Sequence, residues 1–145
     1  MTDFDRRTVE EFRANGGQVA GVLAGTPLVL IHHIGARSGI EHVTPLGYLA
    51  LGDGIVVAAS NGGSPKHPAW YHNLKANPAI TVELGTERFR ATAEEQAGRD
   101  RAELWSKLVT RFPDLAKFAA STERTIPLFV LRRATPLSVV VRGIR

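Results

Sequence analysis

The stretch LVLIHHIGARSGIEHVTPLGYLALGDGIVVAAS, residues 28–60, decides the fold class of this chain. It holds three short segments rich in apolar and β-branched residues, at Leu28–Ile34, Val43–Leu51 and Gly54–Ser60, which are separated by turns that contain glycine. Such segments are typical of β-strands, because glycine can adopt the positive φ angles that tight turns require. The pattern predicts an antiparallel meander, and Pro45 places part of the second strand at a sheet edge or a bulge.

Helices and further strands are predicted on both sides of this stretch. Charged residues surround the apolar ones between Asp3 and Asn15, and Gly16-Gly17 follows, which is the pattern of an amphipathic helix ended by glycine. Apolar residues also recur with helical spacing before Pro113, which cannot continue a helix. The predicted elements are a helix at Asp3–Asn15, a short helix within His67–Pro78, a hairpin of Ala79–Gly85 and Glu87–Glu95 that turns at Gly85-Thr86, a helix at Gly98–Phe112, a short helix that reaches about Ala120, a closing strand at Ile126–Arg133 and a β-rich segment at Leu137–Val141.

These elements predict one mainly β domain, residues 1–145, in which a small β-barrel is flanked by helices. The length of 145 residues and the 43% of hydrophobic residues are typical of a single soluble domain. The chain has no cysteine, which excludes disulfides, thiolate catalysis and cysteine-ligated metals, so redox chemistry would need a bound cofactor. It also has no apolar run of about 20 residues and no signal-peptide core, which predicts a cytoplasmic protein without a transmembrane segment.

The charge of the chain favours an anionic partner. The formal net charge is +4 and the sequence pI is about 10.0, which would attract a nucleic acid, an acidic membrane surface or a phosphorylated cofactor. The 14 arginines and 4 lysines are scattered, and no run resembles a basic arm or an RNA-binding platform. We therefore expect a small-molecule partner and no nucleic acid.

Two glycine-containing turns are candidate ligand sites, although neither common nucleotide-binding glycine motif is present. Residues 35–39 place Arg37, Ser38 and backbone N–H groups together, a combination that suits a phosphate or carboxylate. Taken alone, however, the pattern favours an ordinary hairpin turn with an exposed arginine. Asn61-Gly62-Gly63 permits close backbone approach to a flat ligand, but many loops use glycine in this way. Trp70 suits either a ligand site or the core.

The histidines do not form a metal site. His32 and His33 are neighbours in a predicted strand, so they point to opposite faces, and only one of them is expected to face the core. His67 and His72 are five residues apart, which separates them by about 140° on a helix. We therefore expect no metal.

Several motifs occur in a fixed order between Leu28 and Leu131. They are G-x-R-S-G, V-T-P-L, V-V-A-A-S-x-G-G, P-x-W-Y-x-N-L-K-A-N-P and R-T-I-P. With this order and spacing, the chain resembles the deazaflavin (F420)-dependent nitroreductase and quinone reductase family of actinobacteria.

The resemblance implies a split β-barrel related to FMN-binding barrels, with reduced coenzyme F420 as hydride donor to quinones or, in some members, nitroimidazoles. A deazaflavin transfers hydride from its own ring, so the protein needs mainly to position donor and acceptor. By position, the resemblance assigns coenzyme contacts to Ala36, Arg37 and Ser38 in a phosphate-binding turn, to His42, Val43, Thr44 and Pro45 along a strand, to Ala58, Ala59, Ser60, Asn61 and Gly62 over the deazaflavin ring, and to Ala69, Trp70, Tyr71 and Asn73 in a helix that closes the site.

Some positions depart from the family pattern near the phosphate. Family members commonly have a second lysine or arginine there, whereas this chain has Ala36, His42 and Asn61. We therefore expect weaker coenzyme binding, or binding that depends on pH through His42. Ser60 is the candidate catalytic residue, because its hydroxyl could hydrogen-bond the acceptor or help to deliver a proton to it.

The expected acceptor pocket also departs from the family. Gly47, Leu115 and Phe118 stand where the nitroimidazole-activating member has tyrosines, which predicts a more apolar acceptor and argues against prodrug activation. Two alternatives stay open, an FMN-binding oxidoreductase and a non-enzymatic deazaflavin carrier. The resemblance also implies a homodimer, and peripheral attachment at the inner membrane stays open.

Overall fold

The computed structural model describes residues 2–52 and 54–134, and the predicted β-rich segment at Leu137–Val141 lies outside them. Within the described residues the predicted helices and the hairpin at Gly85-Thr86 are confirmed. The helices are α1 (Asp3–Ala14), α2 (Ala69–Ala76), α3 (Gly98–Arg111) and α4 (Asp114–Ala120), and the strands are β1 (Leu28–Ile34), β2 (Glu41–Gly47), β3 (Leu49–Leu51), β4 (Gly54–Ala58), β5 (Ala79–Leu84), β6 (Glu87–Glu95) and β7 (Leu128–Arg133).

The strands form one antiparallel sheet that curls into a split barrel. Their order across the sheet is β2-β1-β5-β6-β7-β4-β3, so β2 and β3 occupy its two edges. In the chain, however, only Tyr48 separates the end of β2 from the start of β3. A sheet whose outer strands are joined by a single residue must curl until its edges approach each other. This geometry confirms the mainly β class with flanking helices.

The predicted antiparallel pairing of consecutive segments is confirmed, and Pro45 lies in an edge strand as expected, but the middle segment is not one continuous strand. The segment predicted as one strand at Val43–Leu51 divides into β2 and β3, which pair with β1 and β4 respectively and not with each other. At the division, the Tyr48 N–H donates to the Pro27 carbonyl at 3.1 Å. On their other sides, β1 pairs with β5 and β4 pairs with β7, because these apolar strands need a partner on both sides.

Three strands are buried on both faces. In β1, Val29 and Ile31 point into the barrel, while the alternating Leu28 and Leu30 pack against α1. β4 and β7 repeat this arrangement, with their outward side chains packed under α3 and α4. Strands with two covered faces are apolar at nearly every position, which explains the continuous apolar runs in their sequences.

The expectation that only one of His32 and His33 faces a core is wrong. Their side chains do point to opposite faces, yet His32 is 4% and His33 is 3% exposed. β1 lies between the barrel interior and α1, so both of its faces are covered. Each histidine therefore needs its own polar partners.

His32 belongs to a chain of polar contacts that joins α1 to the barrel and that we name the ion-pair chain. It consists of Arg13, Glu83, His32 and Glu41. Arg13 near the end of α1 makes a two-point contact with the Glu83 carboxylate, at 3.0 and 2.7 Å. Glu83 also contacts His32 Nε2, and His32 Nδ1 lies 3.2 Å from Glu41 Oε1. The hydrogen bond from Arg13, together with that from His32, lowers the pKa of Glu83 to about 2 although burial opposes the shift.

Candidate functional site

Two pockets open along β2. The histidine pocket, of about 390 Å³, lies beside the start of the strand, and the apolar pocket, of about 560 Å³, lies beside its end. Because successive residues of one strand line both pockets, ligands bound in them would meet the same edge of the sheet. The histidine pocket is lined by Asp5, His33, Glu41, His42, Val43, Thr44, Ala69 and Asn73, and the apolar pocket by Leu23, Thr26, Pro45, Leu46, Gly47, Ala58, Ser60, Leu108, Arg111, Phe112, Pro113, Asp114, Leu115 and Phe118.

A buried chain of hydrogen bonds forms the inner wall of the histidine pocket. His33 Nε2 lies 2.8 Å from Thr44 Oγ1, and His33 Nδ1 lies 2.9 Å from Asn73 Nδ2. The Asn73 Oδ1 atom accepts a hydrogen bond from the Ala36 N–H at 2.9 Å. The chain therefore joins β2, β1, α2 and the turn after β1.

His33 is neutral near pH 7. Burial lowers the pKa of His33 to about 4, and the neighbouring His42 and His32 shift it in the same direction. The ring centroids of His33 and His42 are 5.5 Å apart, and the two rings are stacked. A neutral imidazole has one nitrogen that donates and one that accepts, which matches the two different partners of His33.

The turn at residues 35–39, which we name the Arg37 turn, adjoins this pocket through Ala36. Its own hydrogen bonds occupy several backbone N–H groups: Gly35 N–H donates to the Ile40 carbonyl, Gly39 N–H to the Gly35 carbonyl and Ile40 N–H to Ser38 Oγ. The Arg37 side chain is exposed. An anion at this turn would therefore meet mainly the Arg37 guanidinium and the Ser38 hydroxyl, and fewer N–H groups than we expected from the sequence.

A second loop, residues 59–64, which we name the glycine loop, adjoins the apolar pocket. Asn61, Gly62 and Gly63 have φ angles of 48°, 62° and 83°, a run of left-handed conformations that glycine tolerates and other residues rarely adopt. A Cβ atom on Gly63 would overlap Ser121 Oγ and lie 3.1 Å from the Phe118 carbonyl oxygen. Gly63 therefore allows α4 to pack directly against the loop.

Arg124 holds the glycine loop in place. Its guanidinium donates to the carbonyls of Ser64 at 2.9 Å, Ala59 at 3.2 Å and Ser60 at 2.8 Å. It also donates to His67 Nδ1 at 3.1 Å. Burial lowers the pKa of His67, and the charge of Arg124 adds to the shift. One side chain thus fixes both ends of the loop.

The aromatic residues of α2 differ in their surroundings. Trp70 is 6% exposed and packs in the barrel core, 6.0 Å from Phe129 between ring centroids. Tyr71 is half-buried, and its ring stacks on His67 at 4.1 Å and meets the edge of Phe129 at 5.8 Å. Tyr71 is therefore more accessible to a ligand than Trp70.

Few of the side chains that line the apolar pocket are polar. Its walls are mostly leucine, phenylalanine, proline and small side chains, and the polar or charged lining residues are Thr26, Ser60, Arg111 and Asp114. The Arg111 guanidinium lies 4.8 Å from the centroid of the Phe112 ring. An elongated or flat apolar molecule would fit such a pocket, with polar contacts at only a few points.

The structure brings most of the residues singled out from the sequence together in four groups, and only Trp70 lies apart from them, in the core. The histidine pocket contains His42, Val43, Thr44, Ala69 and Asn73; the apolar pocket contains Pro45, Gly47, Ala58, Ser60, Leu115 and Phe118; the Arg37 turn contains Ala36, Arg37 and Ser38; and Ala59, Asn61, Gly62 and Tyr71 lie in or beside the glycine loop.

Two site residues were missed in the sequence. His33 was considered only as a metal ligand, and Arg124 had no signal beyond the R-T-I-P motif.

The described residues offer neither a metal site nor a membrane-spanning helix. They contain no group of three or more histidine, aspartate or glutamate side chains that could hold a metal ion. Across residues 2–52 and 54–134, no helix has the length and apolar character needed to cross a membrane.

Sequence comparison identifies the family. Residues 4–133 match the family described as F420H(2)-dependent quinone reductase. A protein of Mycobacterium tuberculosis named F420H(2)-dependent quinone reductase is 35% identical over 126 residues, which are 84% of this chain and 85% of that protein.

Solved structures agree with this match. The structure of an F420-H2 dependent reductase, FDR-A, is 37% identical, with a TM-score of 0.68 over 73% of this chain and 94% of that one. A chain described as a domain-swapped dimer is 34% identical, with a TM-score of 0.70 over 88% and 93% of the two chains. An FAD-binding protein of Mesorhizobium loti, at 13% identity, has a TM-score of 0.51 over 90% and 87% of the two chains, which shows a shared fold alone.

These matches confirm the resemblance that the ordered motifs indicated, and with it the oxidoreductase class and the F420 dependence of the family. The fold shared with the FAD-binding protein supports the expected split-barrel architecture. The chain belongs to the F420H(2)-dependent quinone reductase family.

Proposed function

We propose that this chain binds reduced coenzyme F420 along β2 and transfers its hydride to a quinone or another conjugated electrophile in the apolar pocket. The observation that carries the proposal is the position of β2, whose residues 42–44 line the histidine pocket and whose residues 45–47 line the apolar pocket. A donor and an acceptor held against one strand would lie next to each other. Proximity of this kind is the main contribution a protein makes when the cofactor carries the chemistry.

The residues beside the histidine pocket suit a coenzyme with a phosphate and an acidic tail. The Arg37 guanidinium and the Ser38 hydroxyl would hold the phosphate, because both can donate to its oxygens. The net charge of +4 would attract the acidic tail to the protein, and Arg37 would be the cation nearest to it here, because the histidine pocket itself is lined by the acidic residues Asp5 and Glu41. Farther along, Thr44 offers a hydroxyl, and the backbone from Ala58 to Gly62 would lie against the ring system.

The residues of the apolar pocket suit a conjugated acceptor. Leu115 and Phe118 of α4 form apolar walls, and Gly47 leaves space that a side chain would fill. These walls would exclude water from the reacting atoms, which protects a hydride donor from side reactions. The Ser60 hydroxyl lines the same pocket and would donate a hydrogen bond to an acceptor oxygen.

The division of roles follows from these contacts. When bound, the reduced deazaflavin supplies the hydride. The protein orients the two partners, and Ser60 polarises the acceptor by its hydrogen bond. Replacing Ser60 by alanine should lower kcat by about tenfold, as expected for the loss of one hydrogen bond, and leave the coenzyme Kd unchanged. Unchanged turnover would remove this role from Ser60.

The proposal is tested by titrating the purified chain with F420H2 and, separately, with FMN. Menadione is then added to each complex while the absorbance of the cofactor is followed. We expect tight binding of F420H2 and oxidation that requires both the protein and menadione. Failure to bind F420H2 would contradict the proposal.

The same experiment separates the alternatives. Tight FMN binding with F420H2 left free in solution would indicate an FMN-dependent oxidoreductase. F420H2 binding without oxidation by menadione or by any of a panel of quinones would indicate a non-enzymatic carrier.

We propose a homodimer for the same chain. Support comes from the solved chain described as a domain-swapped dimer, which is 34% identical and covers 88% of this one. Light scattering during gel filtration should give twice the chain mass of 15.7 kDa. The mass of a single chain at micromolar concentration would contradict this part of the proposal.

A further inference from the structure

The hydrogen-bond chain that forms the inner wall of the histidine pocket determines which atom carries each proton along it. It begins at the Ala36 N–H, which can only donate and which lies 2.9 Å from Asn73 Oδ1. The Asn73 amide is thereby oriented, because its oxygen must face Ala36 and its nitrogen must face His33. Asn73 is 7% exposed, so water does not compete for these contacts.

The Asn73 amide in turn determines the tautomer of His33. The Asn73 Nδ2 atom can only donate, and it lies 2.9 Å from His33 Nδ1, so Nδ1 must accept. The single proton of the neutral ring is therefore on Nε2, which lies 2.8 Å from Thr44 Oγ1. The low pKa of His33, about 4, keeps the ring in this neutral form near pH 7.

Thr44 is the last group of the chain. A hydroxyl accepts up to two hydrogen bonds and donates one, and Thr44 Oγ1 accepts the hydrogen bond from His33 Nε2–H. Its own proton is therefore available for another acceptor. Thr44 and His33 both line the histidine pocket, but Thr44 is partly exposed whereas His33 is only 3% exposed.

We propose that His33 is a positioning residue for coenzyme binding, which donates from Nε2 to Thr44 Oγ1 and so directs the Thr44 O–H toward an oxygen of the coenzyme. The inference rests on the proposed function, because it names that function's coenzyme as the ligand. We assign the polar contact with the ligand to Thr44, because His33 exposes only 3% of its surface and both of its ring nitrogens already have partners. Its effect is to orient a donor before binding, which removes the cost of ordering that donor in the complex.

A double-mutant cycle tests the proposal. The variants His33→Leu and Thr44→Val should each raise the Kd for F420 by about tenfold, the value of one hydrogen bond. The double variant should raise it by about tenfold as well, because both changes remove the same interaction.

Conservative variants provide the matched controls. His33→Gln can still donate an amide proton to Thr44, and Thr44→Ser keeps the hydroxyl, so both should retain coenzyme affinity within about threefold. If His33→Leu does not fold, Thr44→Val and Thr44→Ser still make the comparison. Equal affinity of Thr44→Val and wild type would overturn the inference, as would a hundredfold loss in the double variant.

A measurement without coenzyme separates this inference from the proposed function. Nitrogen-15 NMR of the free wild-type protein should show His33 protonated at Nε2 and not at Nδ1. A proton on Nδ1 would overturn the inference and leave the proposed function intact. A wild-type chain that shows the expected tautomer but does not bind F420 would overturn the proposed function and, with it, the assignment of Thr44 to that ligand.

Discussion

The histidine pocket and the apolar pocket share one strand but are built on different principles. A buried chain of hydrogen bonds from four separate elements determines the inner wall of the histidine pocket. The walls of the apolar pocket are leucine, phenylalanine and proline side chains around a glycine. Hydrogen bonds require specific distances and directions, whereas apolar contacts depend mainly on area.

This difference matches the two partners that we propose. A coenzyme is the same molecule in every reaction cycle, so a rigid polar wall can be complementary to it. Acceptors can vary, and an apolar pocket with few polar groups discriminates only weakly among molecules of similar shape. Four substitutions test this difference, and each changes one pocket, its supports or the strand between the two pockets.

The largest expected effect comes from Gly63→Ala, because this residue allows α4 to approach the glycine loop. The new Cβ would overlap Ser121 Oγ and crowd Phe118, at a φ of 83° that alanine rarely adopts. We expect the free energy of unfolding to fall by about 4 kcal/mol, from strain and overpacking together. Gly62→Ala is the control, since its Cβ meets nothing within 4 Å, and it should cost about 1 kcal/mol. Urea unfolding measures both variants, and equal losses of unfolding free energy in Gly63→Ala and Gly62→Ala would refute the prediction.

The second largest expected effect is on the pH dependence of stability. It concerns the ion pairs of Glu83 that hold α1, whose Asp5 lines the histidine pocket. The lowered pKa of Glu83 means that its ion pairs stabilise the fold above pH 4.5, and that this stabilisation is lost as the pH falls toward 2. Between those pH values the wild type should lose about 3 kcal/mol through Glu83. In Glu83→Gln this pH-dependent loss should disappear, and stability near pH 7 should be lower.

The control for this prediction is Glu87→Gln. Glu87 pairs with Arg133 at the surface, where its side chain is 63% exposed, so its removal should change stability by less than about 0.5 kcal/mol. Urea unfolding at a series of pH values measures both variants. An unchanged pH profile in Glu83→Gln would show that the ion-pair chain does not stabilise the fold.

Arg124→Ala should affect the apolar pocket more than the histidine pocket. Without the guanidinium, the carbonyls of Ala59, Ser60 and Ser64 lose their common donor, and the Ser60 hydroxyl loses its position. We expect kcat/KM for menadione to fall by about tenfold. Arg124→Lys should recover little of this, because one ammonium cannot reach all three carbonyls. Arg90→Ala, which removes an exposed arginine from β6, should leave kcat/KM unchanged.

Gly47→Leu is the sharpest test of the difference between the pockets. The backbone of Gly47 accepts a side chain, since its Cβ would lie 3.8 Å from the Phe112 ring, an ordinary contact distance. A leucine there would occupy acceptor space and should raise the KM for menadione by about fivefold, equivalent to about 1 kcal/mol. The Kd for F420 should stay within about twofold. Ala50→Leu on β3 is the control. Equal changes in the KM for menadione and the Kd for F420 would contradict the assignment of acceptor and coenzyme to separate pockets.

Most local elements were predictable because each depends on neighbouring residues. The amphipathic pattern of α1, the stop at Pro113 and the hairpin at Gly85-Thr86 are decided within a few residues, and all are observed. The pairing of β1 with β5 and of β4 with β7 was not predictable, because such contacts join residues far apart in the chain. The predicted meander therefore gave the antiparallel pairing of consecutive segments, but not the division of its middle segment at Tyr48 or the strands on the far sides of β1 and β4.

The candidate site divides in the same way. Thr44, Ser60 and Asn73 lie in motifs whose order carried the family resemblance, so their importance could be anticipated. His33 contacts Asn73, which is 40 positions away, and Arg124 contacts carbonyls that are 60 to 65 positions away, and no local spacing rule predicts such contacts. Their side chains were visible in the sequence, but their partners were not.

The sequence by itself determined the mainly β class, the family and the segments that form the site, because strand patterns, glycine turns and ordered motifs are local properties of the chain. Only the tertiary structure decided that β1 is buried on both faces, that the sheet edges approach at Tyr48 and that His33 connects Thr44 to Asn73. These features depend on how the sheet curls. Its curvature results from the packing of all strands and helices together, and no single segment encodes it.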